Sequence, residues 1–232
     1  MVNKTLDDIF HFETIQYYSE ELNASGIMEH LDRQRALASK FEYKTVNGKK
    51  ARTGCINDRE AIVMYAFIRE IQPRLLVETG VCNGFSTTII LQAIRENGVG
   101  FLYSIDLPEV MGKEYKPGAF WEGKGGAAIP PQKDSGWVVP KCLRASWRLI
   151  LGKSQEKLSD VLNEIGLIDF FFHDSEHSYE CLTFELNSAD DHMNAGGLIV
   201  ADDIHCNNAF QDFCRQKCYK PLYLHRMGFT QK

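Results

Sequence analysis

Three carboxylates stand at the ends of two apolar runs that the sequence predicts to be strands. Asp174 follows the run 168–172, and Asp202 and Asp203 follow the run 197–201. Neighbouring strands lie about 4.8 Å apart, so carboxylates at their ends converge on a small volume. Such carboxylates repel one another, and a bound Mg²⁺, Mn²⁺ or Ca²⁺ ion would relieve the repulsion. The pattern predicts a divalent-cation site. Helix capping is the alternative for Asp174 and Asp203, but it leaves the pair Asp202-Asp203 unexplained.

A glycine-rich turn and a further carboxylate follow two earlier apolar runs. The first run ends in Glu78-Thr79-Gly80, Gly84 opens the amphipathic stretch behind it, and Asp106 ends the next run. Gly80 permits a tight turn, Gly84 lets a ligand approach the backbone, and Asp106 can accept hydrogen bonds from ribose hydroxyls. The turn has neither the G-x-G-x-x-G spacing of dinucleotide folds nor the Lys of a P-loop. The combination favours an adenosine-containing ligand without phosphates, although each residue alone is also typical of a turn or a helix cap.

These residues need a sheet that carries helices on both of its faces. Over residues 71–232, short continuous apolar runs alternate with amphipathic stretches. Continuous apolar strands are typical of parallel sheets, because both of their faces are buried. Ligands of such sheets bind outside the carboxyl ends of the strands, where the candidate residues stand. We predict a doubly wound, mostly parallel α/β domain for this region.

The first 70 residues have the pattern of helices joined by polar loops. Thr5 is predicted to cap a helix over residues 6–22. Asn57 is predicted to cap a second helix, which stops before Pro73. We therefore expect an N-terminal helical extension over residues 1–70 that covers the α/β domain.

Residues 107–141 interrupt the alternation. The segment is rich in proline and glycine, carries Phe120, Trp121 and Trp137, and shows neither helical nor strand periodicity. A stretch of this length without elements is unusual inside a compact domain and is often functional. We predict a lid that covers the substrate, with the three aromatic side chains as candidates for stacking on it. A disordered insertion is the alternative.

Composition and charge disfavour several classes of protein. The 232 residues include 44% apolar and 25% charged side chains, as expected for a globular protein. A formal net charge of −5 argues against nucleic acid and anionic membranes as partners. The sequence shows no transmembrane run and nothing that resembles a signal peptide. Seven cysteines without framework spacing indicate reduced thiols and predict a cytoplasmic protein.

The glycine-rich turn and Asp106 together resemble the class I S-adenosylmethionine (SAM)-dependent methyltransferases. Glu78, Gly80 and Gly84 match the first motif of that family, and 152–154 resembles its adenine-binding turn. The resemblance covers residues 71–232 and implies a seven-stranded sheet of order 3-2-1-4-5-7-6 with an antiparallel last strand. The short end of the chain leaves little room for the final hairpin. The resemblance implies cofactor contacts from Glu78, Thr79, Gly80, Gly84, Ser86, Asp106, Gly152, Ser154 and Asp174.

The acidic segments 168–180 and 196–204 resemble a narrower group, the metal-dependent O-methyltransferases of the macrocin and aminocoumarin type. These enzymes modify sugar hydroxyls, so the implied partner is a small molecule with hydroxyl groups, either a sugar diol or a catechol-like compound. A homodimer stays open. The residues implied are, as Mg²⁺ ligands, Asp174, Asp202 and Asp203 and, as the general base, Glu176 or His177.

Two other functions stay open on the same scaffold. One is a metal-dependent hydroxylase or hydrolase, for which His177 and His205 beside acidic residues could complete a two-His-one-carboxylate site. The other is a catalytically silent module that binds SAM without needing a metal. A NAD-dependent dehydrogenase is disfavoured, because the G-x-G-x-x-G spacing is missing.

Overall fold

The computed structural model describes residues 4–41, 54–122, 124 and 126–232. Within these ranges the first helices are α1 (Leu6–Ile9), α2 (Phe12–Ala24), α3 (Ile27–Ala38) and α4 (Asp58–Ile71). Thr5 and Asn57 cap α1 and α4 as predicted, each in a reciprocal capping box with the acidic residue three positions later. No helix in the described ranges is long and apolar enough to cross a membrane.

The single helix predicted over residues 6–22 is wrong, because the chain breaks into α1 and α2 at Phe10 and His11. Leu6 and Ile9 are buried on α1, and Tyr18 and Leu22 are buried on α2. At about 100° per residue, one continuous helix would place these two pairs on roughly opposite faces. The break lets both pairs reach the core.

The remaining elements alternate between strands and helices and form a seven-stranded sheet in the order β5-β2-β1-β6-β7-β9-β8. β9 runs antiparallel to β7 and β8, and the pairs from β5 to β7 are parallel. This is the sheet that was predicted, with the strand order that the resemblance implies. The bounds are β1 (Leu75–Thr79), α5 (Phe85–Asn97), β2 (Phe101–Asp106), β3 (Glu109–Val110), β4 (Ala128–Ile129), the 3₁₀ helix Lys141–Ser146, β5 (Trp147–Leu151), α6 (Ser154–Ile165), β6 (Ile168–His173), α7 (Tyr179–Asp191), β7 (Met193–Ala201), α8 (Ala209–Lys217), β8 (Leu222–Leu224) and β9 (Met227–Gln231).

The final hairpin forms despite the short end of the chain, which corrects the expectation that it lacks room. β9 pairs with β7 as far as Gln231, and the Lys232 amide still donates to the Gly197 carbonyl at 3.1 Å. Gly228 makes the tight packing possible, since a Cβ there would stand 2.4 Å from the ring of Phe210. The turn before β9 carries Arg226, which reaches the site described below.

The hydrophobic core lies on both faces of the sheet. Phe170 and Phe172 of β6 belong to one buried cluster, and Phe171 between them belongs to the other. Leu22 of α2 and Leu31 of α3 join the first cluster. The N-terminal helices therefore share a core with the sheet, and a boundary at residue 70 stays a prediction.

The segment 107–141 carries more structure than its sequence indicates. β3 and β4 form a short parallel pair of their own, and the Trp121 indole donates to the Leu107 carbonyl at 3.1 Å. The stretch before the 3₁₀ helix is hydrogen-bonded to the turn after β1. A role for this segment as a substrate-covering lid stays a prediction.

Candidate functional site

A cavity of about 850 Å³ opens at the carboxyl ends of the strands. This volume lies within the range of small-molecule sites, about 300–1,000 Å³. Phe120 and Trp121 line it, whereas Trp137 does not and instead donates its indole N–H to Asn83. The predicted site residues that line this cavity are Gly80, Asp106, Gly152, Ser154, Asp174, Glu176, His177, Asp202 and Asp203.

Gly80 is fixed by a close backbone approach. Its φ is +86°, and a Cβ at this position would stand 1.9 Å from the Asp174 carbonyl oxygen. The Asp174 amide donates to the Thr79 carbonyl at 2.8 Å, so the ends of β1 and β6 are joined along this seam. The glycine-rich turn after β1 and the acidic end of β6 are therefore held in a fixed position relative to each other.

Gly84 also needs the absence of a side chain, but for a different neighbour than predicted. A Cβ at Gly84 would stand 2.7 Å from the Cα of Gly136. Protein backbone from the long segment therefore occupies the space in which a ligand was expected, and Gly84 does not line the cavity.

Three further residues predicted to touch the cofactor point into the protein. Glu78 is fully buried and accepts hydrogen bonds from the hydroxyls of Ser86 and Thr87, both at 2.8 Å, and of Ser104 at 2.7 Å. The Thr79 hydroxyl donates to Glu185, which is also buried. None of these three side chains lines the cavity. Their hydrogen bonds instead stabilise the turn on the side that faces the protein interior.

We expect Glu78 to make the protein less stable as the pH rises from about 4.5 to 7. Burial raises the pKa of Glu78 from its usual 4.5 to about 7, against the three hydroxyl donors that favour the charged form. In this window the folded state binds more protons than the unfolded state, so the free energy of unfolding falls with pH and levels off above pH 7. The shift corresponds to about 3 kcal/mol.

Urea unfolding of the wild type and Glu78→Gln, measured between pH 4.5 and 8, checks this expectation. The glutamine has no titrating proton, so its curve should lack this part of the pH dependence. Equal pH slopes in the two proteins would contradict the assignment to Glu78.

Asp106 lies on the cavity wall and is held by three donors. Its Oδ1 accepts from the amides of Val81 at 3.0 Å and Cys82 at 3.3 Å, and its Oδ2 accepts from the Ser135 hydroxyl. Burial raises the pKa of Asp106, and these hydrogen bonds offset part of the rise. The carboxylate is therefore oriented before any ligand arrives.

The acidic cluster combines Asp174, Asp202 and Asp203, as the strand ends predicted. Burial, followed by the negative charge of Asp202, raises the pKa of Asp174 well above its usual range. Arg226 supplies a counter-charge, with its Nη1 3.0 Å from Asp203 Oδ1 and its Nη2 3.7 Å from Asp202 Oδ2. The Arg226 amide donates to the buried Glu60 of α4 at 3.4 Å. Arg226 was not predicted as a site residue, because the sequence was expected to leave little room for the hairpin that carries it.

The oxygens of this cluster suit a divalent cation in their chemistry. Asp202 Oδ1 is buried and accepts no hydrogen bond, whereas Asp203 Oδ1 is buried against the Arg226 guanidinium at 3.0 Å. Carboxylate oxygens are the ligands that Mg²⁺ and Ca²⁺ prefer. In the described part of the chain, no group of three or more His, Cys, Asp or Glu side chains is arranged so that it could hold a metal ion. The carboxylate oxygens are suitable ligands in their chemistry alone, and Arg226 supplies the positive charge beside Asp202 and Asp203.

The two candidate bases have different surroundings. Glu176 is ion-paired with Lys124 at 2.8 Å and accepts a hydrogen bond from Gln155 at 3.2 Å. His177 Nε2 lies 3.6 Å from Asp174 Oδ1 and 3.6 Å from Asp203 Oδ2. Burial and then the neighbouring His173 lower the pKa of His177, against the opposing charges of Asp203 and Asp202, so the neutral imidazole is favoured.

A two-His-one-carboxylate arrangement receives less support from the placement of His205. Its Nδ1 lies 3.8 Å from Asp203 Oδ1, but the side chain is 61% exposed and does not line the cavity. His177 is thus the histidine that the structure brings to the acidic cluster inside the cavity.

The sheet order, the turn after β1 and the cavity at the strand ends define a Rossmann-like, class I SAM-dependent methyltransferase fold. The family described as a methyltransferase domain matches residues 77–204, more than half of the chain. The protein belongs to this methyltransferase family. Among curated proteins, none matches the chain in sequence.

Solved structures show the same fold at low sequence identity. The methyltransferase PaMTH1 from Podospora anserina, bound to SAH, is 14% identical, with 96% of each chain covered and a TM-score of 0.56. An O-methyltransferase from Bacillus cereus in complex with SAH is 12% identical, with 90% of this chain and 91% of that chain covered and a TM-score of 0.55. The O-methyltransferase NovP is 18% identical, with 75% and 81% covered and a TM-score of 0.53.

Proposed function

We propose that this protein is a SAM-dependent O-methyltransferase that methylates a hydroxyl of a small molecule, with a divalent cation held by Asp174, Asp202 and Asp203. One observation carries the proposal: a single cavity brings the turn at Gly80 and the oriented carboxylate of Asp106 together with the acidic cluster. The first two features suit an adenosine-containing cofactor, and the cluster suits a hydroxyl acceptor.

The cofactor would bind along the ends of β1, β2 and β5. Asp106 would accept a ribose hydroxyl, and Gly152 and Ser154, which line the cavity where β5 meets α6, would face the adenine. The positive sulfonium of SAM would lie toward the acidic end of β6 at Asp174. The similar structures that hold SAH support this choice of cofactor.

The acceptor would bind between the acidic cluster and the aromatic wall of Phe120 and Trp121. A divalent cation bound there supplies Lewis acidity that lowers the pKa of an acceptor hydroxyl. The rings of Phe120 and Trp121 meet edge to face at 83° with Lys124 over the Phe120 ring, and the wall they form would border a catechol or sugar ring. The carboxylates Asp174, Asp202 and Asp203 keep the oxygens of a diol beside the methyl donor, and such positioning can be worth several kcal/mol. No disulfide joins any of the seven cysteines, all of which lie in the described ranges, and this supports action in the reducing cytoplasm.

We propose that His177 takes the proton from the acceptor hydroxyl, in preference to Glu176. The Lys124 ion pair and the Gln155 hydrogen bond engage the Glu176 carboxylate, whereas His177 Nε2 lies 3.6 Å from both Asp174 Oδ1 and Asp203 Oδ2, beside the proposed cation site. His177→Gln should lower kcat about a hundredfold or more, and Glu176→Gln should lower it less than about tenfold. Steady-state kinetics of both variants measure the difference. The opposite order would assign the base to Glu176.

The experiment that tests the proposed function is calorimetric titration of the purified protein with SAM, before and after chelation and with Mg²⁺ restored. We expect SAM binding, together with a separate Mg²⁺ signal that is lost in Asp202→Asn. Transfer of labelled methyl groups to catechol and sugar-diol acceptors then follows. No SAM binding would overturn the proposal. SAM binding and methyl transfer without a metal signal would keep the methyltransferase and remove the cation.

A further inference from the structure

Residues 134–139 of the long segment 107–141 lie directly against the glycine-rich turn after β1. We call these residues the strap. The Gly136 amide donates to the Cys82 carbonyl at 2.8 Å, and the Val138 amide donates to the Asn83 carbonyl at 3.2 Å. The close approach at Gly84 described above is made by the same strap. The strap therefore covers residues 82–84 of the turn.

Side chains from other parts of the chain also hold the strap in place. The Arg144 guanidinium donates to the Gly136 carbonyl at 2.8 Å and to the Val139 carbonyl at 3.1 Å. A ring nitrogen of His30 in α3 lies 2.8 Å from the Val138 carbonyl. A Cβ on Gly136 would stand 2.3 Å from the indole of Trp147, so the strap has no room to shift toward β5.

Ser135 connects the strap to the carboxylate proposed to bind the ribose. Its side chain is only 3% exposed, and its hydroxyl donates to Asp106 Oδ2. The amides of Val81 and Cys82 occupy Oδ1 on the other side. An ionised carboxylate offers about four acceptor positions, so one remains for a hydroxyl from the cavity. Ser135 itself does not line the cavity.

We propose that Ser135 is a positioning residue for the cofactor: it fixes the rotation of the Asp106 carboxylate so that Oδ2 meets a ribose hydroxyl. This inference rests on the proposed function, since it assumes that the ligand at Asp106 is a nucleoside. In a variant that lacks the Ser135 hydroxyl, Asp106 Oδ2 would lose its protein donor while it stays nearly buried. The carboxylate would then be freer to rotate about its χ2 bond. Ser135 thus determines affinity for the cofactor without touching it.

The test is calorimetric titration of SAM into the wild type, Ser135→Ala, Ser135→Cys and Ser135→Thr. Ser135→Ala should bind SAM about tenfold more weakly, as expected for the loss of a hydrogen bond to a charged group. Ser135→Thr keeps the hydroxyl and should bind close to the wild type. The cysteine, a weak donor of similar size, gives the same comparison if the alanine variant does not fold. At saturating SAM, kcat should stay within about twofold, because the reacting atoms are untouched.

Two controls separate positioning from a general loosening of the strap. Ser146→Ala makes the same chemical change in the 3₁₀ helix Lys141–Ser146, away from Asp106, and should leave SAM affinity unchanged. In an Asp106→Asn background, Ser135→Ala should cause no further loss, because the two residues act as one unit.

The possible results separate a failure of the positioning role of Ser135 from a failure of the proposed function. Failure of the wild type to bind SAM would overturn the proposed function. If the wild type binds and Ser135→Ala and Ser135→Cys bind equally well, the positioning role is wrong. Equal losses in Ser135→Ala and Ser146→Ala, or additive losses in the double variant, would also overturn it.

Discussion

Asp174→Asn is expected to reduce methyl transfer on the order of a thousandfold while leaving SAM affinity within a few-fold of the wild type. The substitution keeps the size of the side chain but removes one of the three charges that would hold the cation and the acceptor oxygens. A cation that activates and positions a nucleophile is worth several kcal/mol, which sets the expected factor. Single-turnover methyl transfer and SAM calorimetry on the same preparation measure the two effects separately.

Two comparisons make this result specific. Asp160→Asn removes an exposed carboxylate of α6, outside the cavity, and should leave the activity unchanged. Thermal unfolding of Asp174→Asn under chelation should occur at the same or a higher temperature, because burial and Asp202 disfavour the charged Asp174. Loss of SAM binding with an unchanged Mg²⁺ signal would show that Asp174 holds the cofactor and not the metal.

Gly80→Ala is expected to lower the free energy of unfolding by about 4 kcal/mol, near the upper end for single substitutions. The added Cβ would overlap the Asp174 carbonyl at 1.9 Å, and backbone cannot move aside as the end of a flexible side chain can. The strand ends of β1 and β6 would have to separate. SAM binding should be lost together with stability, because the seam positions both halves of the site.

Gly26→Ala is the control for this substitution. Gly26, which precedes α3, has a φ of +75° and a ψ of 3°, in the left-handed region, and a Cβ there meets no atom within 4 Å. It should cost only the backbone term, about 1–2 kcal/mol. Urea unfolding of both variants measures the difference. Equal losses would show that conformation, not overlap with Asp174, explains the need for glycine at position 80.

The strand-end rule explains why so much of the site could be predicted. Asp106, Asp174, Asp202 and Asp203 each follow a continuous apolar run, and parallel strands bring such ends to one edge of the sheet. The same rule located the glycine-rich turn at Gly80. It says nothing about side-chain direction. The family resemblance implied cofactor contacts from Glu78, Thr79 and Ser86, but their side chains form hydrogen bonds inside the protein instead.

Long-range contacts account for what could not be predicted. Arg226 meets Asp203 only because the last hairpin packs beside β7, and no local pattern marks that pairing. Ser135 reaches Asp106 across 29 positions of sequence from a segment without periodicity. The break between α1 and α2 likewise depends on two apolar pairs that must both reach one core, a demand that capping signals at Thr5 do not contain.

The long segment 107–141 contains two parts, the strap and residues 112–118, that differ in how much sequence change they can tolerate. An insertion within 134–139 would displace Ser135 and with it the carboxylate of Asp106. Residues 112–118 are mostly exposed, and glycines 112 and 118 have no neighbour within 4 Å of an added Cβ. They lead directly to Phe120 and Trp121 on the cavity wall. The segment 112–118 can therefore change in length or composition beside the cavity wall without displacing Ser135 or Asp106.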